Sequence, residues 1–259
     1  MRRERVRELL AGVADGSLSP DAALDALAME PLVESLPFAT LDHHRALRQG
    51  FPEVIFGAGK TPEQVEAIAG RLAQRGEGFL ATRLDAASID RLRYHFPNAE
   101  VNDLARTAFL SGDRPAPPGR GTVLVITAGT SDLPVAEEAG VTLRANGDCV
   151  ERLADVGVAG IHRVLSQRER LLTAAVVIVV AGMDGALPSV VSGLVDIPVI
   201  GLPTSIGYGL GGGGVAALLS MLQTCAPGLV VVNIDNGVGA GATAALLANR
   251  VAAARRGAG

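Results

Sequence analysis

The second half of the chain alternates between short runs of β-branched, apolar residues and segments with helical periodicity. The runs cover residues 122–127, 149–154, 176–181, 198–202 and 229–234. Continuous apolar strands that alternate with helices are typical of a parallel sheet with both faces covered. The pattern therefore predicts an α/β fold with a doubly wound parallel sheet.

The first part of the chain is more charged and less regular, which predicts a smaller α+β domain. Helical patterns cover residues 6–14 and 21–29, and an apolar run at 52–56 predicts a strand. The motif Thr61-Pro62-Glu63 combines a capping threonine, a first-turn proline and a first-turn acid, which together signal the start of a helix. Four apolar positions at helical spacing follow this motif: Val65, Ile68, Ala69 and Leu72.

A segment rich in proline and glycine separates the two patterns. Residues 111–119 read Ser-Gly-Asp-Arg-Pro-Ala-Pro-Pro-Gly, which breaks regular structure and predicts a linker. We therefore assign residues 1–117 to an N-terminal α+β domain with its linker, and residues 118–259 to the domain that carries the chemistry.

Composition and charge exclude several classes of function. With a net charge of -4 and a pI near 5.6, the chain lacks the overall positive field that favours nucleic acid or anionic membranes. An aromatic content of 3% without tryptophan argues against a base-stacking platform. The longest apolar run, residues 171–181, is shorter than the roughly 20 residues of a membrane span. Two widely spaced cysteines favour free thiols in a reducing compartment, so we predict a cytoplasmic protein.

Three predicted loops leave the carboxyl ends of the strands, where open α/β sheets bind their ligands. The first contains Thr130, Ser131 and Asp132 directly before a helix start. Hydroxyls, a carboxylate and exposed amides at this position indicate either a phosphate or ribose site or an ordinary helix cap. The loop matches neither the Walker motif nor the dinucleotide fingerprint.

The second loop contains Gly182, Met183 and Asp184, and Asp235 follows the last predicted strand. Asp184 is placed to direct a carboxylate into the crevice, although such a residue also caps loops. Asp235 has the same two interpretations, a substrate contact or a turn.

The third loop is rich in glycine and leads into an apolar helix that ends near Cys225. Glycines let backbone amides approach a phosphate closely, and the next helix adds its positive end. The candidate ligand-binding positions in this loop are Ser205, Gly207, Gly209, Gly211, Gly212 and Gly213. Cys225 is the better nucleophile candidate of the two cysteines, although free cysteines are often merely apolar and a helix C-terminus disfavours a thiolate. A cationic group of the substrate would reverse that effect.

Several of these segments resemble the PurE-type aminoimidazole ribonucleotide carboxylases. The Ser-Asp phosphate loop of that family resembles residues 130–134, its Ala-Gly-Gly-Ala-Ala-His-Leu-Pro loop resembles residues 181–188, and the strand that follows resembles residues 198–203. The family moves a proton with the histidine of the second loop. This chain has Ala186 at the matching position.

The whole chain is similar to the LarB family of pyridinium-3,5-biscarboxylic acid mononucleotide synthases, which open nickel-pincer nucleotide synthesis. The segments that carry the similarity are Asp42-His43-His44-Arg45, residues 48–54, residues 56–61, residues 205–214 and residues 233–237. The resemblance implies carboxylation of nicotinic acid adenine dinucleotide by CO2, hydrolysis of its phosphoanhydride with release of AMP, and a homo-octamer.

The resemblance also implies roles for individual residues. It places the nucleophile at Cys225, which would add to ring carbon 4 and make carbon 5 nucleophilic enough to take up CO2. It places the base for the carbon 5 proton at Asp184, where the family usually carries glutamate. No biotin is implied, and Mg2+ would help to neutralise the diphosphate although no acidic cluster in the sequence indicates a metal cage.

Two other functions compete with this one. A PurE-type carboxylase or mutase would share the fold, but it would need the histidine that Ala186 replaces. A noncatalytic sensor of pyridine nucleotides would keep the phosphate loops and would need no thiol. Replacing Cys225 by alanine separates a sensor from a carboxylase.

Overall fold

Residues 3–28, 33–43, 45, 53–113 and 121–257 are described by the computed structural model. The chain divides into two units, one of residues 1–99 with 110–113 and one of residues 100–109 with 114–259. The domain boundary that we predict at residues 117–118 lies outside the described residues, so it stays a prediction.

The first part of the chain combines short helices with two small sheets. Strands β1 and β2 form an antiparallel hairpin, and a four-stranded mixed sheet has the order β3-β4-β6-β5. In this sheet β3 and β4 are parallel, whereas β5 and β6 are antiparallel. The elements are α1 (Arg3–Ala14), α2 (Pro20–Ala28), β1 (Val33–Leu36), β2 (Ala39–Asp42), β3 (Val54–Phe56), α3 (Pro62–Gln74), β4 (Gly78–Thr82), α4 (Ala86–His95), β5 (Glu100–Asn102) and β6 (Thr107–Ser111).

Helix α3 begins where its capping signal predicts. The Thr61 hydroxyl accepts a hydrogen bond from the Gln64 amide at 3.3 Å, and the Gln64 side chain accepts one from the Thr61 amide at 3.0 Å. These reciprocal bonds satisfy two amides that the helix start would leave unpaired. The four predicted apolar positions are all buried: Val65, Ile68, Ala69 and Leu72.

The second part contains a five-stranded, fully parallel sheet with the order β11-β10-β9-β7-β8. All five predicted strands are present, and the predicted α/β class is confirmed. The elements are β7 (Thr122–Thr127), α5 (Leu133–Ala145), β8 (Cys149–Leu153), α6 (Ile161–Leu165), α7 (Arg168–Thr173), β9 (Val176–Ala181), α8 (Leu187–Ser192), β10 (Val199–Pro203), α9 (Val215–Leu222), β11 (Leu229–Val231) and α10 (Gly237–Gly257). Short 3-10 turns cover Thr130–Asp132, Val158–Gly160 and Gly209–Gly214.

Two cores cover the two faces of this sheet. Val177 and Val179 face a core that includes residues of α6 to α9, whereas Ile178 and Val180 face a core that includes residues of α5 and α10. Every residue of β9 is buried as a result. Burial on both faces explains why this strand is an unbroken apolar run in the sequence rather than an alternating one.

The strand order determines where a ligand can bind. The chain starts the sheet at β7 and adds β8 on one side and β9, β10 and β11 on the other. The loops after β7 and β9 therefore diverge and leave a crevice at the carboxyl edge of the sheet. Among the described residues, no helix is long and apolar enough to cross a membrane.

Candidate active site

The carboxylate of Asp132 joins three of the loops at the carboxyl edge. It accepts hydrogen bonds from the Gly129 amide at 2.9 Å and from the Thr204 hydroxyl at 2.7 Å, and it bonds the Gly182 backbone as well. Burial raises the pKa of the Asp132 carboxyl above its ordinary value and the nearby Asp235 adds to the rise, while these three hydrogen bonds oppose it. Asp132 thereby positions the loops after β7, β9 and β10 relative to one another.

Thr130 and Ser131 stand beside Asp132 with exposed side chains. They form the 3-10 turn that leads directly into α5, a helix of 13 residues. Their hydroxyls are therefore available to an anion at the positive end of the helix dipole, whereas the Leu133 amide donates to the Thr130 carbonyl and Pro134 has no N–H.

The loop after β9 packs closely against the loop after β10. A Cβ atom at Gly182 would lie 2.6 Å from the Thr204 hydroxyl oxygen, so only glycine fits there. The Met183 amide donates a hydrogen bond to the Ile206 carbonyl at 2.9 Å. Met183 itself has a φ of 53°, a left-handed conformation that is uncommon for a side chain of this size. Contacts between the two loops hold this turn in place.

Asp184 lies at the tip of the same loop and is exposed. One carboxylate oxygen accepts a hydrogen bond from the Ala186 amide at 3.3 Å, which is the loop-capping interaction that the sequence left open. The carboxylate remains within reach of a ligand in the crevice because the side chain is not covered. Capping and contact with a ligand are thus compatible for this residue.

The glycine-rich segment follows β10 and faces the same edge. Gly214 has a φ of 98°, and a Cβ atom there would lie 2.7 Å from the Thr204 carbonyl oxygen, so the chain can enter α9 at this point only through glycine. The preceding residues Ser205, Gly207 and Gly209 are exposed. The Ser205 amide donates a hydrogen bond to Asp235 at 2.8 Å, which links this segment to the loop after β11.

The structure brings all the predicted substrate-binding residues to one edge of the sheet. They come from the loops that follow β7, β9, β10 and β11, and Asp184 lies with them. The set is Thr130, Ser131, Asp132, Gly182, Met183, Ser205, Gly207, Gly209, Gly211, Gly212, Gly213 and Asp235.

Cys225 is exposed, but it lies at the opposite edge of the sheet. Helix α9 runs back from the carboxyl edge and ends at Leu222, before β11 starts at Leu229. The Gly228 carbonyl accepts a hydrogen bond from the amide of Val199, the first residue of β10. Within one chain, the structure does not bring Cys225 and Asp184 together.

Sequence reasoning missed Arg163 on α6. Its guanidinium forms an ion pair with Asp155 at 3.0 Å and donates a hydrogen bond to the Gly157 carbonyl at 3.4 Å. Gly157 abuts the loop after β7, because a Cβ atom there would lie 2.7 Å from the Ala128 carbonyl oxygen. Arg163 thus places a half-buried cation beside residues 155–157, which pack against the start of the loop after β7. The only sequence signal was an arginine soon after a predicted strand end, which is weak by itself.

No metal cage is present in the part of the chain that the structure describes. Among those residues, no group of three or more histidine, cysteine, aspartate or glutamate side chains could hold a metal ion. The carboxylates of Asp132 and Asp235 are bonded to neighbouring loops instead.

Comparison with known families matches both parts of the chain. Residues 33–112 match the model of the LarB/PurE-like N-terminal domain, and residues 122–258 match the model of AIR carboxylase. The chain belongs to the AIR carboxylase family and has a LarB-type architecture. The resemblance seen in the sequence is confirmed.

This LarB-type chain is also similar to a curated protein and to two solved structures. It is 39% identical over 254 residues to an uncharacterized protein of Methanocaldococcus jannaschii, covering 95% of this chain and 97% of that one. PurE of Treponema denticola and a PurE2 variant from the same organism are each 24% identical, with a TM-score of 0.40, over 50% of this chain and 78% of theirs.

Proposed function

We propose that the chain carboxylates the pyridinium ring of nicotinic acid adenine dinucleotide with CO2 and hydrolyses its phosphoanhydride. The products are pyridinium-3,5-biscarboxylic acid mononucleotide and AMP. The pairing of a LarB-type N-terminal domain with an AIR carboxylase domain is the observation that carries this proposal. The loop after β9 supports it, because it offers Asp184 and has Ala186 where a PurE-type enzyme needs histidine.

The arrangement of charges fits a substrate with a diphosphate. Thr130 and Ser131 offer hydroxyls at the start of α5, and Arg163 is held against residues 155–157, which pack on the same loop after β7. The glycine-rich segment adds backbone amides from the other side of the crevice. An anionic diphosphate between these groups would leave the pyridinium ring near the loop that holds Asp184.

The chemistry needs a nucleophile and a base at one ring, and because Cys225 and Asp184 lie apart within one chain, neighbouring copies in the proposed homo-octamer would supply them. The Cys225 thiolate adds to carbon 4 of the pyridinium, and the bonding electrons neutralise the ring nitrogen. Carbon 5 of the resulting enamine then forms a bond to CO2. Asp184 removes the proton from carbon 5, and loss of the thiolate from carbon 4 restores the aromatic ring. No oxidant or reductant is consumed, and attack of water on the phosphoanhydride releases AMP.

Mass spectrometry of the products tests this proposal. Purified protein is incubated with nicotinic acid adenine dinucleotide, Mg2+ and 13C-bicarbonate. We expect a labelled dicarboxylated mononucleotide together with AMP. The Cys225→Ala variant should form no labelled product, whereas Cys149→Ala should retain activity because the proposed chemistry uses a single thiol, that of Cys225.

Other outcomes would change the assignment. Label transfer to aminoimidazole ribonucleotide in a parallel assay would indicate a PurE-type enzyme. Binding of the dinucleotide without turnover, unaffected by Cys225→Ala, would indicate a sensor. AMP without label would mean hydrolysis uncoupled from carboxylation. The same proposal includes a homo-octamer, which sizing by light scattering checks.

A further inference from the structure

We propose that Tyr208 recognises the cationic ring of the substrate by stacking its phenol ring on the face of the pyridinium. The inference rests on the proposed function, in which the pyridinium ring lies beside Asp184, and it adds a residue that selects for that ring. Tyr208 belongs to the glycine-rich segment after β10, and it is 81% exposed. Its side chain is therefore open to a ligand at the carboxyl edge of the sheet.

Tyr208 is an unusual residue in its part of the chain. Residues 114–259 contain no other phenylalanine, tyrosine or tryptophan. Both cores of the parallel sheet consist of aliphatic residues and methionine, and Tyr208 belongs to neither core. An aromatic side chain stabilises a fold mainly when it is buried. The Tyr208 ring therefore does not serve the packing of this sheet, and its place at the candidate site favours contact with a ligand.

The backbone brings Tyr208 close to the loop that carries the proposed base. A Cβ atom at Gly207 would lie 3.7 Å from the Met183 Cα and Sδ atoms. The Met183 amide also donates a hydrogen bond to the Ile206 carbonyl at 2.9 Å. Asp184 directly follows Met183 in the chain, and Tyr208 directly follows Gly207. The aromatic ring and the carboxylate therefore each start one residue away from the same contact between loops.

The glycines that follow Tyr208 leave room beside its ring. The Gly211 amide donates a hydrogen bond to the Tyr208 carbonyl at 3.3 Å, so the segment turns back at this point. A Cβ atom at Gly209 or Gly211 would meet no other part of the described chain within 4 Å. Gly211 also lacks the positive φ that favours glycine. Neither packing nor backbone conformation accounts for glycine at this position, and the missing side chain leaves space for a ligand ring.

The charge of the ligand ring determines which ring Tyr208 selects. The face of a phenol ring carries partial negative charge and attracts a cation that lies over it. The pyridinium nitrogen is positively charged, whereas the adenine ring of the same dinucleotide is neutral. Ile206 and Leu210 are 40% and 100% exposed on either side of Tyr208, and their apolar surface would exclude water from the contact and strengthen it. Because addition of the thiolate neutralises the ring, the contact stabilises the bound substrate rather than the adduct.

Steady-state kinetics of Tyr208→Leu tests the inference. The variant removes the aromatic face and keeps an apolar side chain, and its folding should be unaffected because Tyr208 is exposed. We expect the KM for the dinucleotide to rise roughly five- to thirtyfold. The kcat should not fall, because the contact is lost once the ring is neutral. Tyr208→Phe keeps the ring and should change KM little.

The second tyrosine of the chain provides a matched control. Tyr94 on α4 is also 81% exposed, so Tyr94→Leu removes an equally accessible ring and should leave KM unchanged. An unchanged KM for Tyr208→Leu overturns the inference. An equal rise in KM for Tyr94→Leu, or a fall in kcat without a change in KM for Tyr208→Leu, overturns it as well.

Tyrosine fluorescence provides a readout that does not depend on turnover. The chain has two tyrosines and no tryptophan, so Tyr94→Phe leaves Tyr208 as the single tyrosine. Nicotinic acid mononucleotide carries the pyridinium ring without the adenosine. It should quench the fluorescence of Tyr208, because a stacked, electron-poor ring quenches an excited phenol. The Tyr208→Leu protein, in which Tyr94 is the single tyrosine, controls for light absorbed by the ligand and for random collisions.

The outcomes separate this inference from the proposed function. Saturable quenching of Tyr208 by the mononucleotide, and little quenching by AMP, supports recognition of the pyridinium. Quenching by AMP that equals or exceeds that by the mononucleotide would place Tyr208 beside the adenine and overturn the inference. Equal behaviour of the two single-tyrosine proteins would overturn it too. If the mononucleotide quenches Tyr208 but the wild type forms no labelled product from the dinucleotide, the proposed function fails and recognition of the ring stands.

Discussion

A single buried carboxylate, that of Asp132, determines how the loops of the candidate site are held together. Its hydrogen bonds to Gly129, Thr204 and Gly182 stabilise the ionised form, yet burial costs more and the pKa is raised. Between its ordinary value and the raised value, the folded chain keeps a proton that the unfolded chain has lost. The contribution of Asp132 to stability is therefore largest at low pH and is lost as the pH rises through the raised pKa.

This balance predicts a pH-dependent difference between wild type and Asp132→Asn, which does not titrate. The free energy of unfolding of wild type, relative to the variant, should fall from pH 3 upward and level off above the raised pKa. The fall is about 1.4 kcal/mol for each unit by which the pKa is raised. Urea unfolding at a series of pH values measures it.

Thr204→Val provides the control for that experiment. It removes one hydrogen bond to the Asp132 carboxylate, so the pKa of that carboxyl should rise further. The fall in the free energy of unfolding should then extend to higher pH. If the free energy of unfolding of wild type relative to Asp132→Asn stays constant or rises with pH, burial does not raise the pKa of Asp132 as we expect.

The anion-binding interpretation is tested at Ser131 and Arg163. Arg163→Gln removes the cation held beside the residues that pack on the loop after β7, and a lost charge-assisted hydrogen bond to the substrate costs about 1.5–3 kcal/mol. We therefore expect the KM for the dinucleotide to rise at least tenfold with little change in kcat. Ser131→Ala should raise KM by a smaller factor. Steady-state kinetics measures both effects.

A nearby arginine gives the matched control. Arg168 is exposed at the start of α7, and Arg168→Gln should leave KM unchanged. Equal increases in KM for Arg163→Gln and Arg168→Gln would indicate a general effect of charge. An unchanged KM for Arg163→Gln would show that Arg163 does not contact the substrate.

At the scale of elements, α5 and α10 pack closely because small residues line their contact. A Cβ atom at Gly241 would lie 2.7 Å from the Thr142 Cβ atom and 2.8 Å from the Ala139 carbonyl oxygen. The buried Glu138 carboxylate also accepts a hydrogen bond from the Gly237 amide at 3.0 Å, at the start of α10. Packing therefore outweighs the poor helix propensity of glycine here.

Two glycine-to-alanine changes separate packing from propensity. Gly241→Ala should lower the free energy of unfolding by about 1–3 kcal/mol because the added methyl group overpacks the helix contact. Gly70→Ala in α3 has open space around its Cβ position, so it should be neutral or raise stability by up to about 1 kcal/mol. Thermal and urea unfolding measure both, and equal effects would contradict the packing argument.

The elements also show what the sequence could and could not predict. Strands β7 and β9 have the predicted bounds because burial on both faces leaves an unbroken apolar run. Strands β1 and β4, with the sequences Val-Glu-Ser-Leu and Gly-Phe-Leu-Ala-Thr, were missed because they lack the unbroken β-branched run that marks β7 and β9. The edge position of Cys225 was missed because local patterns do not follow a crossover helix, which returns the chain to the amino edge.

At the scale of the whole molecule, the two buried cores of the parallel sheet draw on one stretch of sequence. Their buried residues lie between Val123 and Ala248. A segment with its own core can fold by itself. Residues 100–109 nevertheless belong to the same compact unit as residues 114–259, although β6 is hydrogen-bonded in the four-stranded sheet. The predicted domain of residues 118–259 and the larger segment 100–259 are thus two candidates for the autonomous unit.

We expect the fragment of residues 118–259 to fold cooperatively without the rest of the chain, because neither core needs a residue from outside it. Circular dichroism should show one thermal transition, and amide exchange should be slowest in β7, β9 and β10, the three inner strands. Residues 100–259 form the control: a cooperative transition in this fragment alone would mean that the hairpin of residues 100–109 is required. Loss of cooperativity in both would show that the sheet depends on the N-terminal part, and the boundary predicted at residues 117–118 would then be wrong.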